Sequence, residues 1–146
     1  MKFHRVDYPT YVPAAFKALY AASTAVHEGA LEPTLVELVF LRVSQINGCA
    51  YCMDMHAGAL HKAGVDPRKL HTLAGWRDSR FFDPRERAAL AWAEALATLP
   101  SGAPADATYA ALQPHFDPAG IATLTMAVAL ISAWNRLGVG LQPELA

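Results

Sequence analysis

The chain has 146 residues, 53% of them apolar and only 17% charged, with a formal net charge of −1. That is enough for one domain around one sizeable core. With no basic run and no acidic tail, nothing in the chain calls for nucleic acid or an anionic membrane surface. So little charge is low for a monomeric helical chain, and it predicts that some helix faces are covered between subunits.

The opening MKFHRVDYPT has no apolar core segment and no small-residue cleavage site, so it does not read as a signal peptide. Two cysteines without an export signal predict a cytoplasmic protein, since structural disulfides are rare there. From this point the punctuation is helical. The spacing predicts helices over 13–28, 33–47, 49–63, 67–74, 84–98, 105–113 and 118–137. Asp66-Pro67, Asp83-Pro84 and Asp117-Pro118 mark three starts, with Glu32-Pro33 a near variant. An Asp side chain accepts from the free N–H groups of a first turn, and proline fits the first helical position. Asp83 with Glu86 makes a variant capping box. Gly48, Gly64, Gly75 and Gly138 follow periodic stretches and read as left-handed C-terminal caps.

In the second helix Leu35, Leu38, Val39, Val43 and Ile46 keep a 3–4 period that only Arg42 interrupts. The last helix holds the longest apolar run, Ile121 to Trp134, which is shorter than the roughly 20 apolar residues of a bilayer span. It reads as a buried core helix. No segment alternates with period two. The expected fold is all-α, one domain over 1–146.

The chemistry concentrates in GCAYCMDMHAG, residues 48–58, which contains both cysteines. It could bind metal, lock a structural disulfide or carry out thiol chemistry. On a helix starting near Cys49, a turn of about 100° per residue puts Cys52 roughly 60° back and His56 roughly 40° on from Cys52. All three share one stripe. A thiol at a helix N-terminus is favoured as the thiolate, and an adjacent imidazole can take a thiol proton. Structural zinc needs four ligands, and no second cysteine pair exists. A disulfide across so short a loop constrains little chain entropy.

The helices 33–47 and 49–63 are joined only by Asn47-Gly48, so they should lie antiparallel. Counting back from that turn sets Glu37 level with Ala57, beside His56. The expected relay runs Glu37, His56, Cys52. His4, His27, His61, His71 and His115 read as surface or capping residues, Met53 and Met55 as core packing, and Asp54 as solvated. Trp134, Asn135 and Arg136 have two readings. One is core with dipole pairing by Arg136; the other, a pocket wall or subunit interface, is only what a family resemblance implies.

The pattern E-x11-C-x2-C-x3-H, formed by Glu37, Cys49, Cys52 and His56, resembles the signature of the AhpD-like alkylhydroperoxidases of the carboxymuconolactone decarboxylase superfamily. NGCAYC at 47–52, WRDSRFFDPRERAALAWAEALA at 76–97 and AWNRLGV at 133–139 are similar too. The resemblance implies a homotrimer or homohexamer and a thiol peroxidase or disulfide reductase without metal, haem or other cofactor. It implies that Cys52 attacks the peroxide and that Cys49 resolves the sulfenic acid to a disulfide. His56 and Glu37 would relay the proton. An external dithiol, of thioredoxin or lipoyl type, would then reduce the pair. Family members with well-defined peroxidase activity often carry a second histidine between the cysteines, where this chain has Tyr51. True decarboxylases of the superfamily lack the CxxC pair, so that activity does not transfer. From a different class, the chain could be a non-enzymatic redox sensor or interaction module.

Overall fold

A computed structural model describes residues 2–145. It is all-α. The helices are α1 (Tyr8–Tyr11), α2 (Pro13–His27), α3 (Pro33–Asn47), α4 (Ala50–Lys62), α5 (Pro67–His71), α6 (Pro84–Ala97), α7 (Asp106–Ala110) and α8 (Pro118–Leu141). Single 3₁₀ turns lie at Leu73–Gly75 and Leu99–Ser101. The expected starts hold: Asp66, Asp83 and Asp117 each accept a backbone N–H from the first turn, and Asp83 with Glu86 closes a full capping box. Glu32 does not cap α3 with its side chain; its carboxylate instead takes Arg85 Nη1 at 2.6 Å.

Two of the expected stops need correction. Gly48 and Gly64 are left-handed, with φ of 69° and 78°. Gly75 lies inside a 3₁₀ turn, and Gly138 lies inside α8, which runs on to Leu141 and ends on a left-handed Gln142. The α1 turn at Tyr8–Tyr11 was not expected from periodicity, being too short to show any.

Helix α3 is the centre of the domain. Leu35, Val36, Leu38, Val39, Phe40, Leu41, Val43 and Ser44 are all buried on it. It packs against α4, α8 and α6. One side faces a core with Val128, Ile131, Ala93 and Leu124; the other faces Leu60, Leu73, Trp76 and Leu90. A helix enclosed on several sides leaves its charged residues half inside, where an ion costs several kcal/mol unless partnered. Arg42, the interruption in the period, finds Glu94 on α6: its Nε donates to Oε1 at 2.7 Å.

Helix α8 has 24 residues, longer than its apolar run and long enough by length and composition to cross a membrane. In this fold it is a core element. It packs against α2, α3, α4 and α6 and buries Leu124, Ala127, Val128, Leu130 and Ile131. Asn135 is 1% exposed. Its Nδ2 donates to Ser44 Oγ and its Oδ1 accepts from Asn47 Nδ2, each at 3.0 Å. These bonds pin the last turn of α3 to α8 immediately before the Gly48 turn. The Ser44 carbonyl accepts from Cys49 N–H at 3.0 Å, closing that turn as a Schellman motif.

Residues 2–5 and 140–144 are stitched together. His4 N–H donates to Gln142 O at 3.0 Å, Glu144 N–H to Lys2 O at 2.9 Å, and Arg5 Nη1 to Gly140 O at 2.8 Å. Phe3 and Pro143 form an isolated antiparallel bridge.

Candidate active site

The Gly48 turn delivers Cys49 to the N-cap of α4 and Cys52 to its first turn. The two sulfurs are bonded as a disulfide, with Cα atoms 5.3 Å apart. Both residues are buried, at 2% and 3% exposure. The Cys52 N–H donates to Cys49 Sγ at 3.3 Å, so the first sulfur occupies the place of a capping oxygen. A buried disulfide fits both a structural and a redox reading, which makes its surroundings matter.

Those surroundings are chemical on one side. Glu37, in the second turn of α3, reaches across the hairpin, and the His56 ring meets its Oε2 through Nδ1 at 2.7 Å. The level predicted from the Asn47-Gly48 turn is the observed one. His56 is 5% exposed, and its Nε2 is buried without a hydrogen-bond partner among the described residues. With a carboxylate on Nδ1, that nitrogen is the donor, and in the neutral imidazole Nε2 then keeps the lone pair.

The second oxygen of Glu37 is also taken. His27, in the last turn of α2, places Nε2 2.6 Å from Glu37 Oε1, and its Nδ1 lies 3.0 Å from Ser23 O. His27, expected as a surface or capping residue, does sit in the last turn of α2 but is half-buried and also reaches Glu37. The Phe40 ring, one turn along α3 from Glu37, packs edge-on against both imidazoles, with centroids 5.2 Å from His27 and 5.0 Å from His56. Burial pushes the Glu37 carboxyl up, but the hydrogen bonds and charge of His56, and then of His27, outweigh it. They hold the group below the usual carboxylate range.

Cys52, His56, Glu37 and His27 line one cavity of about 520 Å³. The aromatic rings of Tyr8, Phe16, Tyr20, Phe40, Tyr51 and Trp134 form part of its wall. Tyr51, inside the CxxC motif, is part of this wall. Burial, followed by Tyr51 and Asp7, raises the Tyr8 phenol above its ordinary value, so it stays neutral there. Met55 also lines the cavity and is 49% exposed, so it is a rim residue rather than core; Met53 packs in the second core cluster as expected. Asp54, His4, His61 and His71 are exposed.

The open choice for Trp134, Asn135 and Arg136 resolves residue by residue. Trp134 is cavity wall, its Nε1 donating to Ser23 Oγ at 2.8 Å. Asn135 is a buried polar pin. Arg136 is exposed and donates to Ser132 O at 2.8 Å, one turn back in the interior of α8. Gly138, one turn beyond Trp134, touches the disulfide. A Cβ there would stand 2.6 Å from Cys49 Sγ and 3.4 Å from Cys52 Sγ. Glycine at 138 is a close approach of helix to sulfur, not a cap.

Fold and site together define a helical domain with a CxxC disulfide set beside a carboxylate–imidazole chain. The carboxymuconolactone decarboxylase family model matches residues 11–95, and the chain belongs to that family, in its AhpD-like branch. It is 31% identical over 137 residues to the uncharacterized protein YdfG of Bacillus subtilis strain 168, covering 94% of this chain and 93% of YdfG. Among solved structures it resembles ATU0492 of Agrobacterium tumefaciens, a protein of unknown function suggested to be the antioxidant defence protein AhpD. There the TM-score is 0.94 at 33% identity, over 97% of each chain. An uncharacterized peroxidase-related protein from Ralstonia eutropha JMP134 with an alkylhydroperoxidase AhpD core shares the fold. Its TM-score is 0.83 at 22% identity, over 94% of this chain and 74% of that one.

Proposed function

We propose that the protein is a thiol-dependent reductase of organic hydroperoxides in which Cys52 is the attacking thiol and Cys49 the resolving one. The observation that carries this reading is the free Nε2 of His56, buried in the wall of the cavity that Cys52 also lines, with Glu37 fixing the opposite ring nitrogen. In the reduced protein His56 takes the Cys52 proton at Nε2, and Glu37 stabilises the imidazolium. The thiolate attacks the terminal oxygen of ROOH. The O–O bond breaks, His56 returns its proton to the departing alkoxide, and ROH leaves Cys52 as the sulfenic acid. The Cys49 thiol attacks that sulfur, water departs, and the disulfide forms. An external dithiol reverses it by two exchanges and is itself oxidised to a disulfide. The cap position favours negative charge on Cys49 Sγ during those exchanges.

The cavity supports an organic rather than a small inorganic peroxide, since its aromatic wall offers apolar contact to a sizeable R group. Assembly into trimers or hexamers is part of the same reading. Exposed Tyr20 and Met55 at the cavity rim support it, and light scattering of the purified chain checks it.

The test is a stopped-flow measurement of the reduced protein against several hydroperoxides, with a dithiol to sustain turnover and mass spectrometry of Cys52. Cys52→Ser and Cys49→Ser should each abolish turnover. Full activity in Cys52→Ser would sink the mechanism. Disulfide formation without turnover would make the protein a redox sensor.

A further inference from the structure

The hydrogen bonds of His27 constrain its protons. Ser23 O is a carbonyl and can only accept, so Nδ1 carries a proton. At 2.6 Å from Glu37 Oε1, Nε2 needs a proton between the two atoms. The same holds between Glu37 Oε2 and His56 Nδ1. With Glu37 ionised, both bonds of His27 are complete only when its ring carries both protons. The three side chains come from α2, α3 and α4, and Phe40 packs against both rings. Glu37 is 16% exposed and the His27 side chain 30%, so the outer member of the chain faces solvent and cavity while the inner one is closed in.

We propose that His27 is a positioning residue for the thiol chemistry: it holds Glu37 charged and turned so that the second oxygen fixes His56 with Nδ1 protonated and Nε2 bare. The proposal rests on the reading that Cys52 is the attacking thiol. Without His27 the carboxylate loses a donor and a positive neighbour while keeping its burial. It then takes up a proton at higher pH and no longer supports the His56 imidazolium. Formation of the Cys52 thiolate shifts upward with it. The other ionisable groups on the cavity wall are Tyr8 from α1, Tyr20 from α2, Glu28 just past its end and Tyr51 from α4. Helix α8 contributes Trp134 and Gly138, which do not titrate. None of these groups is hydrogen-bonded to the Glu37 carboxylate, whose side-chain partners are His27 and His56.

The experiment reads thiolate formation without any peroxide. In a Cys49→Ser background, the rate of Cys52 alkylation by iodoacetamide is followed against pH for His27, His27→Leu, His27→Gln, Glu37→Gln and the His27→Leu/Glu37→Gln pair. His27→Leu should move the midpoint to higher pH and slow alkylation at neutral pH about tenfold. His27→Gln, which keeps an N–H facing Glu37, should recover most of that loss and also shows that the site tolerates substitution. The paired variant should match Glu37→Gln alone, because His27 acts through the carboxylate. An unchanged midpoint in both His27 variants, or losses that simply add in the pair, would overturn the proposal. A protein that fails to turn over any peroxide but shows these shifts loses the proposed function and keeps this inference.

Discussion

Glu37 and Glu94 make an instructive pair. Both are largely enclosed carboxylates, Glu37 on α3 and Glu94 on α6 facing α3; both bind two or more donors, and both are held below the usual carboxylate range against the opposing effect of burial. Glu94 is gripped by Trp76 Nε1 at 2.9 Å, by Arg42 Nε at 2.7 Å and by Arg77. An indole N–H and two guanidiniums keep their protons at any working pH. Glu37 is gripped by two imidazoles, His27 and His56, both of which line the cavity. The number of bonds is therefore a poor guide to a buried carboxylate's job. What its partners are, and whether they open on a cavity, separate the two: Glu94 ties α6 to α3, and Glu37 ties two cavity-lining imidazoles together.

The comparison breaks if the two sites respond alike to the same change. Glu37→Gln should lower kcat/KM for hydroperoxide about 100-fold, as loss of assisted proton transfer does. Glu94→Gln, measured in the same dithiol-coupled assay, should stay within about twofold of the parent. In denaturant the order reverses. Glu94→Gln leaves Arg42 without a counter-charge and should cost about 3 kcal/mol of unfolding free energy. Gly138→Ala should come next, at about 2 kcal/mol in urea melts of the oxidised protein, as the added methyl pushes the sulfurs away from α8.

The subtlest effect is on acid stability. A carboxylate with a lowered folded-state pKa stabilises fully above its unfolded value of about 4.3 and loses that contribution as pH falls through the folded value. The parent should therefore weaken below about pH 4. Glu94→Gln should show a shallower fall over the same range, since one of the carboxylates held low is gone. An identical acid slope in Glu94→Gln and the parent would remove Glu94 from this account.

Much of the site was legible because it is local. Cys49, Cys52 and His56 share one helix, so 100° per residue placed them. Glu37 sits across a two-residue turn, so counting levels placed it. His27 escaped because it was weighed alone. The same levelling applied to the short loop 28–32 sets residue 27 against 33, with Glu37 one turn deeper and within reach of an imidazole. Gly138 escaped for another reason. Its glycine signal is the same whether a backbone must turn or must come close, and only the packing of α8 on the Gly48 turn distinguishes the two. The extension of α8 past Gly138 was missed with it.

The stitching of residues 2–5 to 140–144 sets an order of assembly. Those bonds join positions 135 or more apart, the costliest loops this chain can close, and contacts of that range form late in folding. Tyr8 and Pro143, close neighbours of the stitch in sequence, stand in the cavity wall. The α3–α4 hairpin, by contrast, closes over two residues and brings Glu37, His56 and the cysteines together by local winding alone. Glu37, His56 and the cysteines are near neighbours in sequence, so their contacts close at the least entropic cost. Part of the cavity wall, at Tyr8 and Pro143, instead depends on bringing the chain's two most distant stretches together.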